Sequence, residues 1–133
     1  GIKYILFSTS TEEVAPAIDA YLKSLSPVPS PRLVNGNLSE AAKRGKAHFE
    51  KDCSSCHSGT YYTDMKQYKV NWTNGPDEHV KMDVPALNEV WRTAPYLYDG
   101  RAYTMQDMLK IHAPAETLSE SELNDLAEYV LSL

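Results

Sequence analysis

Two cysteines and a histidine stand close together where the chain reads Cys53-Ser54-Ser55-Cys56-His57. The spacing of this C-x-x-C-H pentad is typical of the covalent attachment of a c-type haem. The two thiols are spaced to add to the two vinyl groups of one porphyrin, and His57 follows where its imidazole can ligate the iron as the proximal ligand. The chain has 2 cysteines, and both belong to the pentad. The pentad therefore predicts a redox protein with one haem c, and one iron, per chain.

Three other interpretations of the cysteines fit the sequence less well. A thioredoxin-like dithiol calls for a βαβ pattern around the C-x-x-C, and we find none in the sequence. A structural zinc ion needs four ligands, and adding His48 and His57 gives a spacing that matches no usual zinc module. A disulfide between Cys53 and Cys56 leaves the position of His57 as a coincidence. Haem attachment accounts for all of these residues.

Length and charge indicate one domain of modest size. The 133 residues carry a net charge of -5, which argues against nucleic acid or an anionic membrane as a partner and suits a partner with a basic patch. No apolar stretch is long enough to span a bilayer, and the apolar run 2–7 is too short for a signal peptide. Because bacteria attach haem covalently outside the cytoplasm, we expect a removed or external export signal and a periplasmic or other extracytoplasmic location.

The hydrophobic periodicity predicts an all-α, helical domain with long loops around the haem. Helices are expected over residues 11–25, 39–52, 86–91, 104–112 and 119–133. Ser39 is a predicted N-cap, and Thr104 and Ser119 each open a predicted capping box. The segment 58–85 is rich in Tyr, Asn, Asp and Gly, and a loop of that length is usually functional.

A proline-rich stretch divides the sequence into two parts. Residues 1–31 form an N-terminal segment that ends in SPVPSP, which reads as a stiff linker, and residues 32–133 form the haem domain. The run AYLKSL at 20–25 resembles the final run EYVLSL at 128–133. Either residues 1–25 are the tail of a preceding haem domain, or two amphipathic helices share a common pattern. The sequence is consistent with both interpretations.

The stretch from Gly45 to Leu133 resembles the core of a class I cytochrome c. In that family a glycine and an aromatic residue one turn apart, here Gly45 and Phe49, meet the C-terminal helix. The resemblance implies Tyr129 and Leu126 as their contacts. Two helices cross this closely only where one of them lacks a Cβ.

A narrower resemblance covers most of the chain after Leu38. Besides the pentad, the motifs that carry it are YTD at 62–64, DVPAL at 83–87, TAPYLYDGR at 93–101 and TM at 104–105. They are similar to the C-terminal haem domain of the di-haem cytochrome c peroxidase and MauG superfamily. That superfamily usually has His where Tyr98 stands and Arg where Asn88 stands.

The second axial ligand of the iron is expected among Met105, Met108 and His112. The position that aligns with the distal ligand of the peroxidase-like domains is His112, which implies bis-histidine coordination and a relatively low reduction potential. Ligation by the sulfur of Met105 or Met108 is the alternative. Met65 and Met82 are further candidates.

Three more side chains are predicted to bind the cofactor. Arg92 and Arg101 flank the Asp-Gly turn, and arginine pairs with carboxylates such as haem propionates in bidentate fashion. Tyr96, together with Trp91 and Tyr98, is expected in the pocket wall.

Two functions follow from these expectations. The first is electron transfer, a one-electron shuttle to or from a redox partner protein or another haem domain, with no catalytic residues in this chain. The second is a part of a di-haem cytochrome c peroxidase or MauG-like oxidase. With a single pentad, the chain resembles the electron-relay half of such an enzyme, and we do not expect it to be an enzyme by itself.

Overall fold

The computed structural model describes residues 11–70, 81–112 and 115–133. Its helices are α1 (Thr11–Ser24), α2 (Glu40–Asp52), α3 (Met105–Ile111) and α4 (Glu120–Val130). The strands β1 (Gln67–Lys69) and β2 (Lys81–Asp83) form a small antiparallel ladder, and 3₁₀ turns lie at Val90–Arg92 and Ala115–Thr117. The predicted all-α class is confirmed, because the two three-residue strands leave the architecture helical.

The helix N-termini follow the capping signals in the sequence. The hydroxyl of Ser39 accepts a hydrogen bond from the backbone N–H of Ala42 at the start of α2. Capping boxes join Thr104 to Asp107 at α3 and Ser119 to Glu122 at α4. Each box pairs backbone N–H groups that have no partner inside the helix, so the sequence starts these helices at defined residues.

The core lies where α2 crosses α4. A Cβ added at Gly45 would overlap the backbone carbonyl of Asp125 and lie 2.8 Å from the backbone nitrogen of Leu126. One turn later the rings of Phe49 and Tyr129 meet edge to face, with their centroids 5.2 Å apart. The predicted contact of Gly45 and Phe49 with the C-terminal helix is therefore confirmed.

An ion pair on the rim of this crossing joins the same two helices. The guanidinium of Arg44 donates from Nε and Nη2 to the two carboxylate oxygens of Asp125, at 2.6 and 2.7 Å. Hydrogen bonding to Arg44 lowers the pKa of Asp125 below its ordinary value, and the positive charge of Arg44 acts in the same direction. The carboxylate therefore favours the folded state at neutral pH.

The loops depart from the sequence prediction in two places. The ladder β1–β2 lies inside the segment predicted as an irregular loop. Its strands have three residues each and are mostly exposed, so their alternation is too short to mark a strand clearly in the sequence. The short helix expected at 86–91 is a 3₁₀ turn at Val90–Arg92, which Glu89 enters with a φ of 59°.

The proline-rich segment is bound to the end of the fold. The hydroxyl of Ser30 donates to the carbonyl oxygen of Leu131 at 2.5 Å, and the backbone N–H of Val28 donates to Glu89 at 2.6 Å. Arg32 pairs with Glu128 on α4 at 3.0 Å. These contacts hold residues 28–32 against the end of the fold. Within the described ranges, no helix has the length and apolar character needed to cross a bilayer.

Candidate haem site

A cavity of about 680 Å³ lies between the pentad, the turn that follows Pro95, and helix α3. Its lining is mainly apolar and includes Leu87, Val90 and Leu109, and both pentad cysteines and two histidines are among the groups in it that can bond a cofactor. A volume of this size lies within the range of about 300–1,000 Å³ that is common for ligand and cofactor sites.

The end of α2 brings the two cysteines to the cavity. The backbone N–H of Cys53 donates to the carbonyl of Phe49 at 2.9 Å and ends the helix. The chain then turns, so that the N–H of His57 donates to the carbonyl of Cys53 at 2.9 Å. Both thiols are free and line the cavity, so they face the volume that a porphyrin would fill.

The thiol of Cys53 does not have the character of a redox nucleophile. Burial, followed by the nearby charges of Asp52 and Cys56, raises its pKa to about 11. Reactive dithiols of the thioredoxin type have a lowered pKa instead. The structure does not support a zinc site either. Among the described residues, no three His, Cys, Asp or Glu side chains lie close enough together to hold a metal ion.

The ring of His57 is oriented by a backbone carbonyl. Its Nδ1–H donates to the carbonyl oxygen of Tyr62 at 3.0 Å, and Tyr62 makes this contact from a left-handed backbone conformation with a φ of 54°. With the proton held on Nδ1, Nε2 keeps its lone pair. A neutral imidazole fixed in this way is ready to bind a metal.

The ring of His112 lies across the cavity from His57. Helix α3 ends at His112, whose N–H donates to the carbonyl of Met108 at 2.9 Å. Burial, with a smaller contribution from the charge of His57, lowers the pKa of His112. The imidazole is therefore neutral over a wider pH range than an exposed one, which is the form that ligates metals.

The separation of the two imidazoles fits a single metal ion between them. Their ring centroids are 6.3 Å apart and their planes are inclined by 70°. A metal–imidazole bond is about 2 Å long and a ring nitrogen lies about 1 Å from the ring centre, so two imidazoles on opposite sides of one ion have centres about 6 Å apart. The donor set and the apolar cavity therefore fit a haem held by Cys53 and Cys56.

The alternative sulfur ligands lie in the same cavity. Met105 and Met108 stand one turn apart on α3, on the face that ends in His112, and both line the cavity. Met105 is also fully buried in the hydrophobic core. Met82 on β2 reaches the lining as well, whereas Met65 is 86% exposed. The choice among these ligands stays a prediction, with His112 favoured by its separation from His57.

The two arginines predicted to bind the propionates each pair with a nearby carboxylate. Within the described part of the chain, the lining of the cavity does not include Arg92 or Arg101. Arg92 pairs with Glu89 at 2.7 Å and Arg101 with Asp99 at 3.6 Å. Their role at the haem stays a prediction.

Two of the three aromatic residues predicted for the pocket wall line the cavity. Tyr96 and Tyr98 line it, and Tyr96 is held by a hydrogen bond from its N–H to the carbonyl of Ala102 at 2.7 Å. Trp91 is outside the lining, and its indole N–H is buried with no hydrogen-bond partner among the described residues.

β1 places Tyr68 in the cavity lining, a position that the motifs in the sequence do not indicate. Its hydroxyl donates to the carboxylate of Asp64 at 2.6 Å, and this hydrogen bond raises the pKa of Tyr68 to about 12. The hydrogen bond from His57 to the carbonyl of Tyr62 cannot be predicted from the sequence either, because every residue type has a backbone carbonyl. The alternation Tyr68-Lys69-Val70 was the one available signal for an inward-facing strand.

Comparison with known proteins assigns the family. Residues 42–133, well over half of the chain, match the family model described as Cytochrome c. The chain therefore belongs to the cytochrome c family, which implies a covalently bound haem c and haem-based electron transfer.

A more specific similarity is to the gamma subunit of hydrazine synthase from Kuenenia stuttgartiensis. The two sequences are 25% identical over 169 aligned residues, which cover 88% of this chain and 48% of the relative. A chain in the structure of Kuenenia stuttgartiensis hydrazine synthase pressurised with 20 bar xenon has the same fold, with a TM-score of 0.75 at 24% identity over 88% of this chain and 54% of that chain. The chain thus spans about half the length of the relatives it matches.

Proposed function

We propose that the chain is a mono-haem electron-transfer unit whose iron is ligated by His57 and His112. The observation that carries this proposal is the pair of imidazoles facing each other across an apolar cavity, with centroids 6.3 Å apart. A covalently bound haem supplies a one-electron couple between ferric and ferrous iron. Two strong ligands leave no open position for a substrate, so the unit transfers electrons and performs no bond chemistry.

The protein residues each have a part in this function. Cys53 and Cys56 anchor the haem through thioether bonds, and the carbonyl of Tyr62 holds the proton of His57 on Nδ1. The apolar lining excludes water, which favours the form of the iron site with the lower net charge. Imidazole in place of a methionine sulfur as distal ligand favours the ferric state, so we expect a relatively low potential.

The partner is a second redox centre, either a protein with a basic patch or another haem domain. The net charge of -5 suits the first, because opposite charges steer the two proteins together. The similarity to a subunit of hydrazine synthase suits an electron-relay role inside a larger redox assembly. An extracytoplasmic location goes with either role.

A peroxidase or MauG-like activity is the alternative function, and it requires an iron position that opens to peroxide or gas. The test is to add carbon monoxide to the ferrous protein and hydrogen peroxide to the ferric protein. We expect neither to change the haem spectrum, and we expect a redox titration to follow a one-electron curve. Rapid formation of a carbon monoxide adduct in the wild-type protein would contradict the electron-transfer proposal.

A further inference from the structure

Helix α1 repeats the pattern of α4. In α1 an isoleucine is followed three residues later by a tyrosine and then directly by a leucine. In α4 a leucine, a tyrosine and a valine have the same spacing, and both runs end in Ser-Leu. The corresponding residues are Ile18 and Leu126, Tyr21 and Tyr129, Leu22 and Val130, Ser24 and Ser132, and Leu25 and Leu133.

The two helices differ in what covers this pattern. On α4, Leu126, Tyr129 and Val130 are 1%, 5% and 3% exposed. On α1, the side chains at the corresponding positions are largely open, with Tyr21 at 64% and Leu22 at 58%. We define the α1 stripe as Val14, Ile18, Tyr21, Leu22 and Leu25, each of which is more than a third exposed. A contiguous apolar stripe of this kind on a helix marks a contact surface.

The structure shows what such a pattern packs against. α4 is covered by α2, whose Gly45 lets the helix backbones approach and whose Phe49 meets the ring of Tyr129. The complement of the pattern is therefore a helix with a glycine at the crossing and an aromatic residue one turn later. In this chain such a helix leads directly into the haem pentad, and its surface is already taken by α4.

The connection between α1 and the haem domain is held in place. Pro27, Pro29 and Pro31 stiffen the segment, while Ser30 and Arg32 bind it to the end of α4. A body that packs on the α1 stripe would therefore be tethered close to this domain.

We propose that the α1 stripe is the docking surface for a second cytochrome c-like unit. The stripe packs against the helix that precedes the pentad of that unit and serves as its closing helix, as α4 does here. This chain covers 48% and 54% of the relatives, so about half of each relative lies outside the match, which leaves room for such a unit. Two haem units joined in this way lie close together, which electron relay between them requires.

Site-specific photo-crosslinking in the cells that make the protein tests the docking. The benzophenone amino acid p-benzoylphenylalanine replaces Leu22, and the crosslinked peptides are identified by mass spectrometry. We expect a crosslink to the helix just before a C-x-x-C-H pentad other than the one at 53–57, in the same polypeptide or in another. The same probe at Lys23, which faces solvent and pairs with Asp19, is the control.

A charge in the stripe provides a second variant. Ile18→Glu in the Leu22 probe background should reduce the crosslink about tenfold or more, because a carboxylate would be buried in the contact. A crosslink from position 22 to α1 of a second copy, to residues 1–10 of the same chain, or to a peptide unrelated to a pentad would overturn the proposal, as would no crosslink above the Lys23 control. The haem spectrum, recorded on the same samples, reports on the proposed electron-transfer site separately.

Discussion

At the scale of single residues, the site depends on two histidines with different supports. His57 is fixed by its sequence position in the pentad and by the carbonyl of Tyr62. His112 is fixed by the length of α3, since the helix ends at the residue that faces His57. The spacing of the pentad predicts the first ligand directly, whereas the second depends on where a helix stops.

Replacing the distal histidine by a sulfur ligand should raise the reduction potential. We expect His112→Met to shift the midpoint potential upwards, because a thioether stabilises ferrous iron more than an imidazole does. Potentiometric titration followed by absorption measures the shift. Met108→Leu, a volume-conserving change in the same cavity, is the control and should leave the potential close to that of the wild type.

If the two variants behave in the opposite way, the distal ligand is Met108 and not His112. A potential that is unchanged in His112→Met but strongly altered in Met108→Leu would identify Met108 as the ligand.

At the scale of elements, the crossing of α2 and α4 holds the pentad in place. Gly45 is required because the carbonyl of Asp125 occupies the space of a Cβ. We expect Gly45→Ala to lower the free energy of unfolding by about 3 kcal/mol, since the added methyl group meets backbone and the helices must separate. Chemical denaturation of the holoprotein measures the loss.

Ala47→Leu is the matched control for added volume on the same helix. Ala47 is exposed, and the change should alter the stability by no more than about 0.5 kcal/mol. Equal stabilities of the wild type and Gly45→Ala would refute the close crossing.

Several elements can be predicted from the sequence because neighbouring residues alone determine where they begin or what they pack against. The capping boxes at Thr104 and Ser119 set the starts of α3 and α4, and Gly45 with Phe49 indicates the crossing. The ladder β1–β2 is not predictable in this way, because its pairing joins two exposed three-residue strands. The ion pairs of Arg92 with Glu89 and of Arg101 with Asp99 also escape prediction, since the sequence does not show which anionic group an arginine will pair with.

At the scale of the whole molecule, the proline-rich segment is bound to the C-terminal end of the fold, at and just after α4. The sequence indicates a stiff linker at 26–31, but the bonds from Val28 and Ser30 to distant residues carry no local signal. The same limit applies to α1, whose apolar periodicity predicts a helix without revealing that its stripe is exposed.

The stability of the whole fold should depend on acid through Asp125. Its pKa in the folded state is below the unfolded value of about 3.9, so its pair with Arg44 stabilises the fold above that pH. The contribution is lost as the pH falls through the folded pKa. We expect Asp125→Asn to melt at a lower temperature than the wild type at pH 7 and the difference to shrink in acid.

Asp19→Asn removes an exposed carboxylate that pairs with Lys23 on α1, and it is the control. It should change the melting temperature little at either pH. A difference between Asp125→Asn and the wild type that stays constant from pH 7 to acid would contradict the role given to this pair.

The central claim is that His57 and His112 ligate one haem iron in a closed site, and low-temperature EPR of the ferric protein tests it most directly. We expect a low-spin spectrum with strong g anisotropy, because imidazole planes inclined by 70° leave two iron d orbitals close in energy. In His112→Ala the spectrum should become high-spin. A wild-type protein that is already high-spin, or a low-spin spectrum that His112→Ala leaves unchanged, would contradict the account.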